Sequence, residues 1–149
     1  MKALLQRVKK AVITINGQER REIGVGLVVL AGFGKNDNSE TLVKTFDKIK
    51  NLRIFSNAED KFDLSISDIK GEILIVSQFT LYGDCKKGKR PDFTAAASFE
   101  QGKILYDEFV QIAVQSALTI KTGEFGADML VEIHNDGPVT IILDNDKGN

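Results

Sequence analysis

Apolar positions along the chain follow two rhythms, and their succession predicts an order of elements. "AVITI" (11–15) and "VGLVVLAGF" (25–33) are rich in β-branched residues and read as strands, with "NGQERREIG" between them as the turn of a hairpin. After "GKND" the period changes. Leu42, Phe46 and Ile49 recur at helical intervals with Val43 beside them, and Asp37 followed three residues on by Glu40 has capping-box spacing. A helix is therefore expected from Asp37 to about Asn51. "ILIV" (73–76) is apolar at every position, as in a central strand covered on both faces. From about Ser98 to Leu118, one stripe of Leu105, Phe109, Ile112, Ala113 and Ala117 predicts the longest helix. "DMLVEIH" (128–134) alternates, with Met129, Val131 and Ile133 on one face and Leu130, Glu132 and His134 on the other. "VTIIL" (139–143) reads as a closing buried strand. Strands and helices interleave, so the expected fold is a single α/β domain over 1–149: a mixed, barrel-like sheet with two main helices.

Composition adds few constraints. At 149 residues, 42% hydrophobic and 28% charged, the chain has the size and make-up of one globular domain. No segment approaches the roughly 20 apolar residues of a membrane helix, and "MKALLQRVKKAVITING" lacks the apolar block of a secretory signal. A cytoplasmic protein is expected. The single cysteine, Cys85, cannot form an intrachain disulfide, which agrees with a reducing compartment. "DNDKGN" at the end reads as a frayed polar tail.

Charge matters only locally. Twenty Lys and Arg against 21 Asp and Glu leave a net charge of −1, so the molecule as a whole offers no electrostatic footprint for nucleic acid. The densest basic run is "KKGKRP", in which Lys86, Lys87, Lys89 and Arg90 fall within five residues. Such a run is either a solvated loop or a phosphate contact.

Candidate chemistry is sparse. His134 is the only histidine, sits on the more polar face of its strand beside a turn signal, and reads as non-catalytic. One cysteine and one histidine are too few for a structural zinc site; neither metal nor cofactor is expected. "GVG" (24–26) and "GFG" (32–34) lack dinucleotide-binding spacing and read as strand-end glycines. Ser77, Gln78, Phe79 and Thr80 are different, because they put polar groups where a buried strand ends. In an extended chain Gln78 and Thr80 share one face, an amide beside a hydroxyl, with Ser77 and Phe79 on the other. They either satisfy backbone groups there or form part of a site. "NDGPVT" (135–140) taken alone is a turn whose Gly-Pro bond can be cis.

Together, "SQFTLYGD", "KGKRPDF", "TGEFGADM" and "NDGPVTIIL" resemble the signatures of the D-aminoacyl-tRNA deacylase family, and "QRVKKAVITI…IGVGLVVLAGF" resembles its N-terminal hairpin. The resemblance covers essentially the whole chain. It implies a homodimer that hydrolyses the ester joining a D-amino acid, or glycine mischarged on alanine tRNA, to the 3′-terminal adenosine, with active sites at the dimer interface. It implies that Ser77, Gln78, Phe79 and Thr80 wall the pocket beside the scissile ester, and that Gly137 and Pro138 form a Gly-cisPro pair inserted from the partner. By the same resemblance Phe125 and Met129 line the adenosine or aminoacyl pocket.

Two chemistries remain open for the implied reaction. Thr80 can serve as nucleophile if a base activates it, yet the motifs place no His, Lys or carboxylate beside it except Asp84, beyond the turn. Water can instead attack directly, with N–H groups near Phe79 and Thr80 stabilising the oxyanion and the RNA 2′-hydroxyl assisting. Water attack is preferred. Lys86, Lys87, Lys89 and Arg90 then meet acceptor-stem phosphates. Two other classes compete: a non-enzymatic RNA-binding protein, and a Thr or Ser hydrolase of small esters.

Overall fold

In the computed structural model, which describes residues 1–145, the first strand is far longer than its β-branched centre. β1 runs Lys2–Ile15 and β2 runs Glu19–Ile23, pairing back onto its second half. The segment read as a turn thus contains a strand of its own, and the reversal is confined to residues 16–18. Asn16 and Gly17 take φ of +49° and +70° there, conformations those two residue types accept most readily. β3, Gly26–Gly32, pairs antiparallel with the first half of β1.

The N-terminal half of β1 hid from a period-2 reading because the strand is irregular. Its register on the last strand shifts between Gln6 and Val8 and again between Val8 and Lys10. Met1, Ala3 and Leu5 join the cluster under the helices, whereas Val8, Ala11, Ile13 and Ile15 join the cluster on the opposite face. One inserted residue turns every later side chain to the other face, so no single alternation runs the length of the strand.

Helix α1, Ser39–Asn51, carries the chain from β3 past a small hairpin, β4 (Phe55–Ser56) and β5 (Phe62–Leu64), to β6, Glu72–Ser77. Its N-cap is Asn38, whose side chain accepts from Thr41 N at 3.1 Å, not Asp37. Asp37 is committed elsewhere: its carboxylate accepts Gly34 N at 2.7 Å and pairs with the Met1 ammonium. β6 is the expected central strand, parallel to β3 on one side and to β7, Thr119–Thr122, on the other. After β6 come a short 3-10 turn, Phe79–Tyr82, and then α2, Phe99–Val114. Ala117 lies beyond the end of α2, so the apolar stripe overruns the helix.

The two terminal strands are one. β8, Met129–Asp144, pairs antiparallel with β1 along both halves. "VTIIL" is not covered on both faces in this chain, for Ile142 is 62% exposed. Nor does the tail fray at Asp144, which is buried. Asn145 donates from its amide to Thr45 Oγ1 at 2.5 Å, and residues 146–149 lie outside the described part.

The sheet order is β2-β1-β3-β6-β7, and it nearly closes. At the seam the Arg21 guanidinium of β2 donates to Thr122 O of β7 at 2.6 Å, replacing a ladder by a side chain. Sequence alternation explains the two cores. Leu27, Val29, Ile73 and Ile75 face Leu42, Phe46, Ile49 and Phe109 of the helices, while Val28, Leu74 and Val76 face Ile13, Ile15 and Ile23 inside the barrel. Fully burying each such side chain stabilises the fold by about 1.5–3 kcal/mol. Among the described residues no helix is long and apolar enough to cross a membrane.

Candidate active site

A cleft opens where β7 leaves β6. The last ladder pair joins Ile75 to Thr122; beyond it β6 continues through Val76 and Ser77 while the other chain turns away at Gly123. Tyr106 of α2 marks the divergence, its hydroxyl lying 3.2 Å from both Ile75 O and Gly123 O. Burial pushes that phenol up to about 12, so it stays a neutral donor across ordinary pH. Its ring packs 5.7 Å from that of Phe125, which in turn meets Phe99 edge-on at 5.2 Å.

The cleft holds about 80 Å³ and is walled by Phe33, Ser77, Gln78, Phe79, Phe99 and Phe125. Gly102 of α2 is part of its lining, and a Cβ there would come within 3.2 Å of Phe125 Cζ. A glycine inside a helix costs about 1 kcal/mol relative to alanine. That unexplained glycine was the sequence signal for this wall, while Phe33 and Phe99 carried none. Phe79 and Phe99 stand 60% and 62% exposed at the mouth, apolar rings facing solvent.

Gln78 and Thr80 do meet, but not through strand parity. The strand ends at Ser77, Gln78 occupies the N-cap position of the 3-10 turn, and the turn brings the Gln78 amide round to donate to Thr80 Oγ1. The Phe79 and Thr80 N–H groups belong to the first turn, whose donors have no carbonyl partner within a helix, whereas Leu81 N and Gly83 N already donate to Gln78 O and Thr80 O. No His, Lys or carboxylate lines the cleft. Asp84 is turned to Lys86 N at 2.8 Å, and His134 sits exposed on β8 opposite Lys10.

The other predicted residues divide. Phe125 is in the cleft wall; Met129 is not, packing instead among the barrel-side cluster, where its sulfur accepts Glu124 N at 3.3 Å and props the segment leading to Phe125. Lys86, Lys87, Lys89 and Arg90 form a tongue whose base is closed by reciprocal Asp84–Asp92 backbone bonds of 2.7 and 2.9 Å. Phe93, beside that base, packs on Phe79 at 5.0 Å and so ties tongue to cleft.

Gly137 and Pro138 lie elsewhere. Between the pairs Val8–Asn135 and Gln6–Thr140, β8 spends five steps over two of β1, so the residues between are pushed out as an exposed excursion. Asn135 closes its base by donating to Arg7 O at 2.9 Å and Val139 O at 3.0 Å. Arg7, missed in the sequence, braces it by donating to Asp136 O at 3.2 Å and to Ile54 O at 2.8 Å. The Gly137-Pro138 bond is cis, and Gly137 has φ +118°.

Residues 4–144 match the family model described as D-Tyr-tRNA(Tyr) deacylase. The chain belongs to that family. Proteins called D-aminoacyl-tRNA deacylase from Clostridium beijerinckii and Thermosipho africanus are 52% and 50% identical to it over 147 residues, 99% of each chain. A solved structure of a c-Myc DNA unwinding element binding protein superposes with TM-score 0.89 at 43% identity, over 97% of this chain and 98% of the other. A second, described as a probable eukaryotic D-amino acid tRNA deacylase, has TM-score 0.85 at 18% identity over 95% and 97%, and bears on the fold alone. The family's extent runs from the first half of β1 to the end of β8, so it includes the cleft, the tongue and the Gly-Pro excursion together.

Proposed function

We propose that the protein is a cytoplasmic, homodimeric hydrolase of D-aminoacyl-tRNA, and of glycine mischarged on alanine tRNA, whose cleft receives the 3′-terminal adenosine ester of one tRNA while Gly137-Pro138 enters from the partner subunit. The observation that carries the interface reading is the position of the excursion. Ser77 aligns through Ala31 and Ala3 with Leu143, whereas the excursion lies beside Gln6 and Val8, on the rows of Leu74 and Glu72. The two halves are therefore several residues apart along the strands and three strands apart across them. Exposed Leu130 and Ile142 flank the excursion on β8, apolar surface suited to a second copy.

Chirality follows from what can move. A side-chain wall yields to an L-substituent by rotamer change at a cost of about 1 kcal/mol, but a backbone wall braced by Arg7 and Asn135 does not. Carbonyls of the excursion accept from the substrate α-ammonium and fix the α-carbon, so an L side chain collides with backbone. Glycine has nothing to collide and is admitted.

For the bond-breaking step water is the nucleophile. Thr80 Oγ accepts from the Gln78 amide and has no base beside it, so its own hydroxyl proton is available to donate. Water adds to the ester carbonyl and gives one proton, through the neighbouring ribose hydroxyl, to the departing ribose oxygen; the Phe79 and Thr80 N–H groups hold the oxyanion until its collapse breaks the ester C–O bond, and the free acid loses its own proton to solvent. Each such donor is worth about 3–4 kcal/mol. The tongue cations meet phosphate. Incubation with D-Tyr-tRNA and L-Tyr-tRNA tests the reading: release of tyrosine from the D-ester alone is expected. Release from neither would leave an RNA-binding protein, and turnover of simple esters lacking RNA would leave a small-ester hydrolase.

A further inference from the structure

The 3-10 turn and the segment after the tongue line two hollows in succession. Residues 77–79 and 97–99 wall the phenylalanine cleft, and Tyr82, Asp84, Lys86, Arg90, Asp92 and Thr94 wall a second, open groove of about 480 Å³. A 3-10 turn rises about 2 Å per residue, so the step from Phe79 to Tyr82 moves roughly 6 Å. That is about the advance of one nucleotide along an extended single strand.

The groove is cationic by count, Lys86, Lys87 and Arg90 outnumbering Asp84 and Asp92 on its lining, and both carboxylates are turned to the tongue's own base. Asp84 Oδ1 accepts Lys86 N at 2.8 Å, and Asp92 Oδ1 accepts Thr94 N at 2.7 Å and Thr94 Oγ1 at 2.6 Å. Those bonds fix the tongue's base. Lys86 Nζ is 3.8 Å from Asp84, and Lys87, Lys89 and Arg90 have no carboxylate partner among the described residues. One more cation comes from another part of the chain. Lys35, in the loop between β3 and α1, is exposed; the Gly34–Ala96 bridge and the bond from Gln101 Nε2 to Lys35 O at 3.0 Å hold its backbone against the segment that separates groove from cleft. The Thr94 hydroxyl and amide, and after them the Lys35 ammonium, hold the Asp92 carboxyl below its ordinary range.

We propose that this groove holds the single-stranded nucleotides immediately preceding the terminal adenosine, with Lys35, Lys86 and Arg90 on their phosphates, so that the protein grips the unpaired 3′ end as well as the acceptor stem. The inference rests on the reading that the cleft takes the terminal nucleoside ester. A cationic trough beside exposed aromatic rings is the general architecture for single-stranded nucleic acid, and it reads no sequence. It suits an enzyme whose substrates share only their last nucleotides.

Three D-tyrosyl esters test it: on adenosine, on the trinucleotide cytidine-cytidine-adenosine, and on whole tRNA. The trinucleotide ester is expected to have KM at least about tenfold below the adenosine ester, with a log KM dependence on log salt of about 0.7 per phosphate contact. Lys35→Ala, checked for an unchanged thermal transition, should lower that slope by about 0.7 and shrink the KM ratio between the two small esters. Equal KM for the adenosine and trinucleotide esters, with all gain appearing on whole tRNA, would overturn the proposal and assign the cations to the stem; so would a ratio that Lys35→Ala leaves untouched. Failure of the wild-type protein to hydrolyse D-Tyr-tRNA at all is a separate result, and it removes the function and this inference together.

Discussion

If each active site joins the cleft of one subunit to the Gly137-Pro138 excursion of the other, two differently damaged subunits must complement. The geometry sets the expected size. The excursion lies near the row of Ile73, four residues before Ser77, or about 13 Å along the strands, and three strand spacings add about 14 Å across. The diagonal is about 20 Å. Five extended steps that leave β8 and return to it reach out at most about 8 Å, so no local rearrangement brings the excursion into its own cleft. Phe79→Asp puts a carboxylate at the cleft mouth, on a residue 60% exposed and hence outside the core. Gly137→Val deforms the excursion, since φ is +118° and a Cβ would lie 3.0 Å from Arg7 Nη2. Each variant alone should be inactive on D-Tyr-tRNA. Co-refolded in equal amounts, half the dimers are mixed, and each mixed dimer has one undamaged site of two, which gives about one quarter of wild-type activity. No recovery, with mixed dimers demonstrated by differential tagging, would show that both halves act within one subunit and would refute the interface reading.

Thr80→Ala should retain D-selective deacylation, with kcat lowered about 100- to 1,000-fold and KM unchanged, because it removes a donor and not a nucleophile; complete loss together with a covalent acyl-enzyme trapped in the parent protein by mass spectrometry would reverse the assignment. Charge reversal in the tongue, Lys86→Glu with Lys89→Glu, should raise KM for tRNA steeply at low salt and much less at high salt, and an unchanged KM in steady-state assays would make the tongue a solvated loop. Tyr106 gives a pH signature. Its folded value, raised to about 12, exceeds the unfolded value near 10, so between those pH values the native state holds a proton that the unfolded chain has lost. Its contribution is complete below pH 10 and falls as pH rises, at up to about 1.4 kcal/mol per unit. Urea titrations at pH 9 and pH 11 should show that loss in the parent and a flatter profile in Tyr106→Phe; parallel profiles would sink the point.

What could be read directly from the sequence was whatever its local rhythm controls. Both helices announce themselves through 3.6-residue stripes, and β6 through an unbroken apolar run, because burial at those positions depends on near neighbours. The errors all have one form, a local signal outvoted by a distant partner. Asp37 and Asn38 are both competent caps, and Asp37 leaves the contest because the Met1 ammonium, 36 positions away, takes one of its oxygens while Gly34 N takes the other. "NDGP" carries the same turn residues whether it ends a strand or is pushed out of one, and the decision belongs to β1, which pairs on both sides of it. The second strand β2 was hidden inside a charged turn because ERREI buries only Ile23 fully, its other residues facing solvent or the seam to β7.

The site follows the same division. Ser77 to Thr80 were legible since the polarity of a strand end is a local anomaly, yet the form of that polarity was not, because a 3-10 turn and not an extended chain brings Gln78 to Thr80. Phe33 after β3 and the pair Phe99 and Gly102 on α2 come from two segments distant in sequence and meet only where β6 and β7 part. That parting explains why the cleft lies there at all. β3, β6 and β7 are parallel, their carboxyl ends point the same way, and each is followed by a connection that must leave the sheet. Where two such connections diverge, a crevice is left at the carboxyl ends of the strands. In the proposed reaction the cleft works by orientation and backbone donors, which serve an ester already activated. On the proposed reading the wall that rejects one enantiomer is the Gly137-Pro138 excursion of β8, which Asn135 and Arg7 brace and which stands about 20 Å from the cleft of its own subunit.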